Sequence, residues 1–294
     1  MKLLVVSCSA TNIAPTTINP QPTTSHFIMY SSFQIATKYL HYLLTASNGK
    51  GHGIHSPFIY QLIDEVFNAK GDRDYYKDIE KIRKELLRND QIIEVEDYGA
   101  GSCGINLKER KINDVARLSI KSPKYARLLY QLVKFVKAKH ILELGTSLGI
   151  TTAYLSAANP KGEVTTMEGA TKIADLASSH FQKLNLQNIQ LIRGNFDATL
   201  PALLQTSDKK YDLIYIDGNH TYEATVRYFT MLLPFTHEHT LIIFDDIHWS
   251  KGMEKAWQEI KSHHTVTLTI DLFFIGLVFL RRSQMVPQHF RIRF

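Results

Sequence analysis

Four side chains in the second half of the sequence stand where they could do chemistry together. Asp217 closes an apolar run and opens Asp217-Gly-Asn-His220, while Asp245 and Asp246 close the run Ile243-Phe-Asp-Asp-Ile-His-Trp249. Each acid follows a strand-like apolar stretch, so each is placed at a strand end. Three carboxylates with no basic residue beside them in sequence repel one another once solvent is excluded. An oxygen-preferring divalent cation relieves that repulsion, and all-carboxylate ligation suits Mg2+, Mn2+ or Ca2+ rather than Zn2+. Asp217, Asp245 and Asp246 are thus the expected metal ligands, with Mg2+ or a similar ion as cofactor. Adjacent strand residues point to opposite faces, so Asp245 and Asp246 share an ion only if the strand has already turned. Otherwise Asp246 caps the helix expected near Ser250. His220 is placed to deprotonate a hydroxyl, with Asp217 as its catalytic partner; the alternative is a helix-entry histidine bonded to local backbone. His248 and Trp249 either line a substrate mouth or pack there.

A second constellation lies upstream, in HILELGTSLGITTAYLSAANPKGEVTTMEG from His140 to Gly169. An apolar run ends in the turn Gly145-Thr-Ser-Leu-Gly149, a helical segment follows, and a second β-rich run ends on Glu168. This is the pattern of a βαβ unit that holds a nucleoside, with Glu168 accepting from the ribose hydroxyls. The turn is G-x-x-x-G rather than G-x-G-x-x-G, and Glu143 at the strand tip repels a pyrophosphate. A phosphate-free cofactor fits better, with S-adenosylmethionine the candidate. Gly145, Thr146, Ser147, Gly149 and Thr151 then provide backbone approach and helix-start amides for the methionine carboxylate, and Glu143 accepts from its ammonium group. Glu168 and Gly169 take the ribose. After the third strand, Phe196 flanks the adenine and Asn195 or Asp197 meets its edge. Asp217 borders the same cofactor. Singly, each of these is equally readable as a turn or cap residue; their order along the chain joins them.

Positioning such groups requires a sheet. Strands are predicted near 140–144, 163–168, 188–193, 211–217, 240–245, 265–271 and 275–281, with helices in the first five gaps. The last two strands have no room for a helix between them and form an antiparallel hairpin. The expected fold is α/β, a Rossmann-like, doubly wound, mostly parallel seven-stranded sheet with an N-terminal helical extension. Helices are also predicted over Tyr30–Ala46, from Ser56-Pro57 through Phe67, over Asp74–Arg88 and over Ser122–Lys137. We expect residues 1–28 to be a disordered tail, with Met29 as an alternative start. Residues 29–118 are expected to form a helical cap or lid, and 119–294 the catalytic domain. His52, His55, Tyr98 and Ser102 sit in loops that could cover a cofactor. The small glycine loop Asp97–Ser102 lacks a second acidic strand end, which favours a lid or packing role.

The 294 residues are 44% hydrophobic and carry a formal charge of +6. No apolar run approaches a membrane span. The basic excess lies in the C-terminal part, where Arg281, Arg282, Arg291 and Arg293 meet no acid; the expected reading is a solvated tail, with contact to RNA or anionic lipid as the alternative. Two cysteines, Cys8 and Cys103, encode no disulfide framework, so a cytoplasmic location is expected. A homodimer is compatible with all of this.

Three segments resemble the class I S-adenosylmethionine-dependent methyltransferases, specifically the metal-dependent O-methyltransferases similar to catechol O-methyltransferase and to the antibiotic-sugar enzymes. ILELGTSLGITTAYL resembles their first cofactor motif, YDLIYIDGNHTYEATVRYF their strand-four motif, and LIIFDDIHWSKGM their strand-five motif. The likeness covers roughly residues 120–281. It implies methyl transfer to a hydroxyl of a small molecule, ribose binding by Glu168, a first metal aspartate at Asp217 and paired ligands at Asp245 and Asp246. Catechol enzymes carry a lysine three residues after the first metal aspartate, where this chain has His220, so catechol itself is not carried over. HGIHSPF and DYGAGS have no counterpart there. An Asn/Asp-Pro-Pro-Tyr loop, usual for amino-group methylation, is replaced by Asp217-Gly-Asn-His220. The alternatives are an RNA or protein acceptor, or a non-catalytic cofactor-binding protein.

Overall fold

A computed structural model describes residues 29–47, 49, 56–69, 76–97, 106–281 and 286–294 of the chain. The expected disordered tail over 1–28, the loops bearing His52, His55, Tyr98 and Ser102, both cysteines, and Arg282 lie outside the described residues.

The chain opens with α1 (Ser32–Thr45), started by a capping box in which Ser31 and Gln34 satisfy each other's backbone N–H groups. Helix α2 (Pro57–Leu62) begins on a proline and continues as a π-helical turn over Ile63–Phe67. Then come α3 (Lys77–Leu86), β1 (Ile92–Asp97), β2 (Asn106–Lys111), α4 (Ile112–Ser119) and α5 (Pro123–Val136). From there strand and helix alternate: β3 (His140–Leu144), α6 (Ile150–Ala158), β4 (Glu163–Glu168), α7 (Thr171–Lys183), β5 (Ile189–Arg193), α8 (Phe196–Gln205), β6 (Leu213–Ile216), α9 (Tyr222–Leu232), β7 (Leu241–Asp245) and α10 (Lys251–Ser262). The chain closes with β8 (Leu268–Asp271), β9 (Ile275–Phe279) and β10 (Gln288–Arg291).

Strand order in the main sheet is β10-β8-β9-β7-β6-β3-β4-β5. Only β9 runs antiparallel, to β7 and to β8. The seven expected strands are all present, and β10 adds an eighth, parallel to β8. That strand corrects the reading of the C-terminal residues as a solvated tail. Ile292 is fully buried, the Tyr42 hydroxyl donates to its carbonyl, and Arg291 Nε lies 3.5 Å from Asp271 Oδ2.

Both faces of the sheet are covered, which is why its strands are nearly continuous apolar runs. Ile141, Leu213, Tyr215, Leu241 and Ile243 face the α2 and α5 side, where Leu128, Leu129, Leu132 and Val133 pack. Leu142, Leu144, Ile214, Ile216, Ile242 and Phe244 face α8, α9 and α10. This alternation decides the site, because Glu143, Tyr215 and Asp245 share the parity of the α5 side. Strand order reverses between β3 and β6, and in such sheets the crevice outside the carboxyl ends at that point is where ligands bind.

The region before α5 is not wholly helical. β1 and β2 form an antiparallel hairpin, and Glu96 Oε2 accepts from Thr171 N at 2.8 Å, tying the hairpin to the start of α7. α3 and α4 pack through Ile79, Ile82, Ile112 and Ala116 onto a layer with Tyr130 of α5 and Tyr154 of α6. α1 is held on both sides: Lys38 and Tyr30 bond Glu254, while beyond its C-terminus Ser47 N donates to the Arg291 carbonyl and Arg293 N donates to the Ser47 carbonyl.

Candidate active site

The turn after β3 has the shape its glycines allow. Gly145 has φ +110°, and a Cβ there would lie 2.0 Å from the Asp217 carbonyl oxygen; only glycine fits. Gly149 has φ +79° and starts α6. The turn and the end of β4 interlock through Glu168, whose Oε2 accepts from Ser147 N at 2.8 Å and whose Oε1 accepts from Ala170 N at 2.9 Å. Burial raises the Glu168 carboxyl above its ordinary value, against the pull of these amides. Beside it opens a cleft of about 210 Å3, a little below the ~300–1,000 Å3 usual for small-molecule sites.

Gly145, Ser147, Glu168, Gly169, Asn195, Phe196 and Asp217 all line this cleft, as expected of a cofactor site read from the sequence. Other expected residues do not. Thr146 is buried with its hydroxyl 2.6 Å from that of Thr166, and Thr151 is buried within α6. Asp197 turns away, taking Arg227 Nη2 at 2.6 Å and the Tyr228 hydroxyl at 2.8 Å. Asn195 Oδ1 is spent capping α8 through Asp197 N. Glu143 lies beneath the turn rather than in the cleft, fully buried, accepting from the hydroxyls of Thr152 and Thr166. Burial pushes its carboxyl up to about 8, and its Oε1 has no hydrogen-bond partner among the described residues. Tyr228 and Glu96 line the cleft without having been singled out in the sequence.

At the adjoining strand ends, Asp217, His220 and Asp245 offer ligand atoms within 4.8 Å of one another. His220 Nε2 lies 3.6 Å from Asp217 Oδ1, and the Tyr215 hydroxyl donates to Asp217 Oδ2 at 2.9 Å. Asp246 does not join this group. It follows Asp245 beyond the end of β7, in the left-handed region at φ +53°, where strand alternation no longer holds, and its charge still acts on Lys121 and Asp245. Nor does Asp246 cap α10, since Ser250 Oγ accepts from Met253 N at 3.1 Å.

The cluster contains a base that the local sequence does not reveal. Lys121, just before α5, bonds Asp245 Oδ2 and lies 3.7 Å from Asp217 Oδ1. Burial alone would lower its pKa, but Asp217, Asp245 and Asp246 hold it above the ordinary lysine value, so it is cationic. Asp217, although buried, is held below the usual carboxylate range by Lys121 and His220. Burial, with the charges of Asp217 and Asp246, pushes Asp245 up. No spacing rule joins residue 121 to residues 217 and 245; only the fold does.

The expected divalent cation can be tested against this arrangement. In its favour, three donors converge and Asp245 Oδ1 is buried without a hydrogen-bond partner among the described residues. Against it, the Lys121 ammonium already sits on the two carboxylates the ion would need. A divalent ion about 4 Å from that ammonium is repelled by about 8 kcal/mol at an effective dielectric of about 20. Lys121 in this position and a divalent cation therefore compete for the same two carboxylates.

Comparisons with known proteins bear on the domain that carries this geometry. Residues 142–247 match a family described as "Methyltransferase domain". A catechol O-methyltransferase of Niastella koreensis is 31% identical over 128 residues, covering 43% of this chain and 57% of that protein. One from Mycobacterium tuberculosis is 26% identical over 136 residues, covering 46% and 59%. The chain thus spans less than two thirds of the length of these curated relatives. A solved structure from Staphylococcus aureus, described as a caffeoyl-CoA O-methyltransferase, superposes with a TM-score of 0.50 at 18% identity, over 57% of this chain and 88% of that one. That last likeness speaks to the fold. Residues 142–247 thus match a methyltransferase domain, and the chain is similar over 128 and 136 residues to two catechol O-methyltransferases.

Proposed function

We propose that the protein is an S-adenosylmethionine-dependent O-methyltransferase acting on a hydroxyl of a small molecule. The observation that carries this reading is the adjacency of the two sites through Asp217, which lines the cleft and belongs to the polar cluster. A cofactor with its ribose on Glu168 and its adenine beside Phe196 would present its sulfonium methyl towards that cluster. The acceptor oxygen forms the new C–O bond as the C–S bond breaks, and the sulfur keeps the electron pair. His220, beside the ionised Asp217, takes the hydroxyl proton. Holding the two reactants in line accounts for much of the expected acceleration.

Labelled methyl transfer tests the reading. The protein is incubated with methyl-labelled S-adenosylmethionine and a cell extract, which is then separated into small-molecule, RNA and protein fractions. Label confined to the small-molecule fraction, and lost with Asp217→Asn, is expected. Label in RNA or protein would overturn the acceptor assignment.

A further inference from the structure

We propose that Lys121 is the resident cation of this site, standing where a divalent ion would otherwise bind. The inference rests on the methyltransferase reading only for the site's purpose; the geometry stands by itself. Lys121 arrives from the turn before α5, on the sheet face towards which Tyr215 and Asp245 point. Its carbonyl accepts from Arg83 Nη1, and Arg83 is itself buried and bonded to Glu80, so the backbone that delivers the ammonium is pinned from a second layer. Its Nζ bridges Asp245 and Asp217, two of the three groups that converge as ligands.

A tethered ammonium and a bound ion differ in what they can do. The ammonium is one charge on a short leash with three N–H donors; it offers no open coordination position. It neutralises part of the charge on the carboxylates and can hold an acceptor oxygen by hydrogen bonding. The site would then favour acceptors with one reacting hydroxyl over those needing two oxygens chelated by a metal.

The test is direct metal binding, read by Mn2+ electron paramagnetic resonance and by calorimetry with Mg2+, using the full chain. Wild type is expected to show no stoichiometric Mn2+ binding that depends on Asp217. Lys121→Ala and Lys121→Gln, which remove the charge, are expected to gain Mn2+ affinity by roughly 100-fold or more, and Lys121→Arg, which keeps it, is not. The gain should vanish in Lys121→Ala combined with Asp217→Asn. Stoichiometric Mn2+ binding by wild type, lost in Asp217→Asn, would overturn the proposal even if the lysine variants do not fold. So would a folded Lys121→Ala that gains nothing. S-Adenosylhomocysteine titration of the same samples reports separately on the methyltransferase reading.

Discussion

Glu143 carries a burial cost that the sheet accepts in order to bind the hydroxyls of Thr152 and Thr166. Its folded-state carboxyl titrates near 8 against an ordinary value of 4.5. Between those values the unfolded chain releases the proton and the folded chain keeps it, so stability falls as pH rises through this window. The loss amounts to about 3 kcal/mol by pH 7. Glu143→Gln should flatten this part of the profile and be more stable than wild type at pH 7 to 8 in urea titrations; parallel profiles would refute the assignment. Gly145 is the opposite case, a residue with no side chain to lose. Gly145→Ala forces a Cβ against the Asp217 carbonyl at positive φ, and we expect at least about 2 kcal/mol of destabilisation together with loss of cofactor binding. At this scale the sequence was informative about Gly145, Glu168, Phe196 and Asp217, whose types match their strand-end positions. It was silent about Lys121 and Tyr228, because their contacts are made across the fold.

Strands β3 to β9 and helix α5 lie within a few residues of their predicted ranges, and α6 to α10 fill the five gaps where helices were expected, since long apolar runs leave little room for another reading. The hairpin β1–β2 and strand β10 were missed for a physical reason. Asn106–Lys111 reads NLKERK and Gln288–Arg291 reads QHFR, segments too polar for a two-residue alternation to be seen. Both strands are defined by their partners. Ending the chain after residue 281 uncovers the edge of β8 and removes the buried Ile292. It should lower the melting temperature by several degrees, on the order of the cost of one lost core side chain. S-Adenosylhomocysteine binding should survive, because the cleft lies at β3 to β6. Loss of binding with folding intact would contradict that separation. Ser250→Ala removes the cap of α10 and should cost about 1 kcal/mol in a thermal melt.

Across the whole molecule, one sheet positions two different kinds of site on the same rim. The cleft is built from the turn after β3 and the ends of β4 to β6, and the polar cluster from β6, β7 and the turn before α5. Both depend on the reversal of strand order between β3 and β6. Among the described residues, no helix is long and apolar enough to cross a membrane. Arg291 lies in β10 and Arg293 N donates to the Ser47 carbonyl, so these two basic residues belong to the folded sheet edge rather than to a free arm. The central claim is that the cleft beside Glu168 holds S-adenosylmethionine. Its most direct test is calorimetric titration with S-adenosylhomocysteine, with NAD as the control ligand, on wild type and Glu168→Ala. The account predicts one-to-one binding of S-adenosylhomocysteine, weakened roughly 10-fold or more in the variant, and no binding of NAD. Absence of binding by folded wild type, or equal affinity in both proteins, would contradict it.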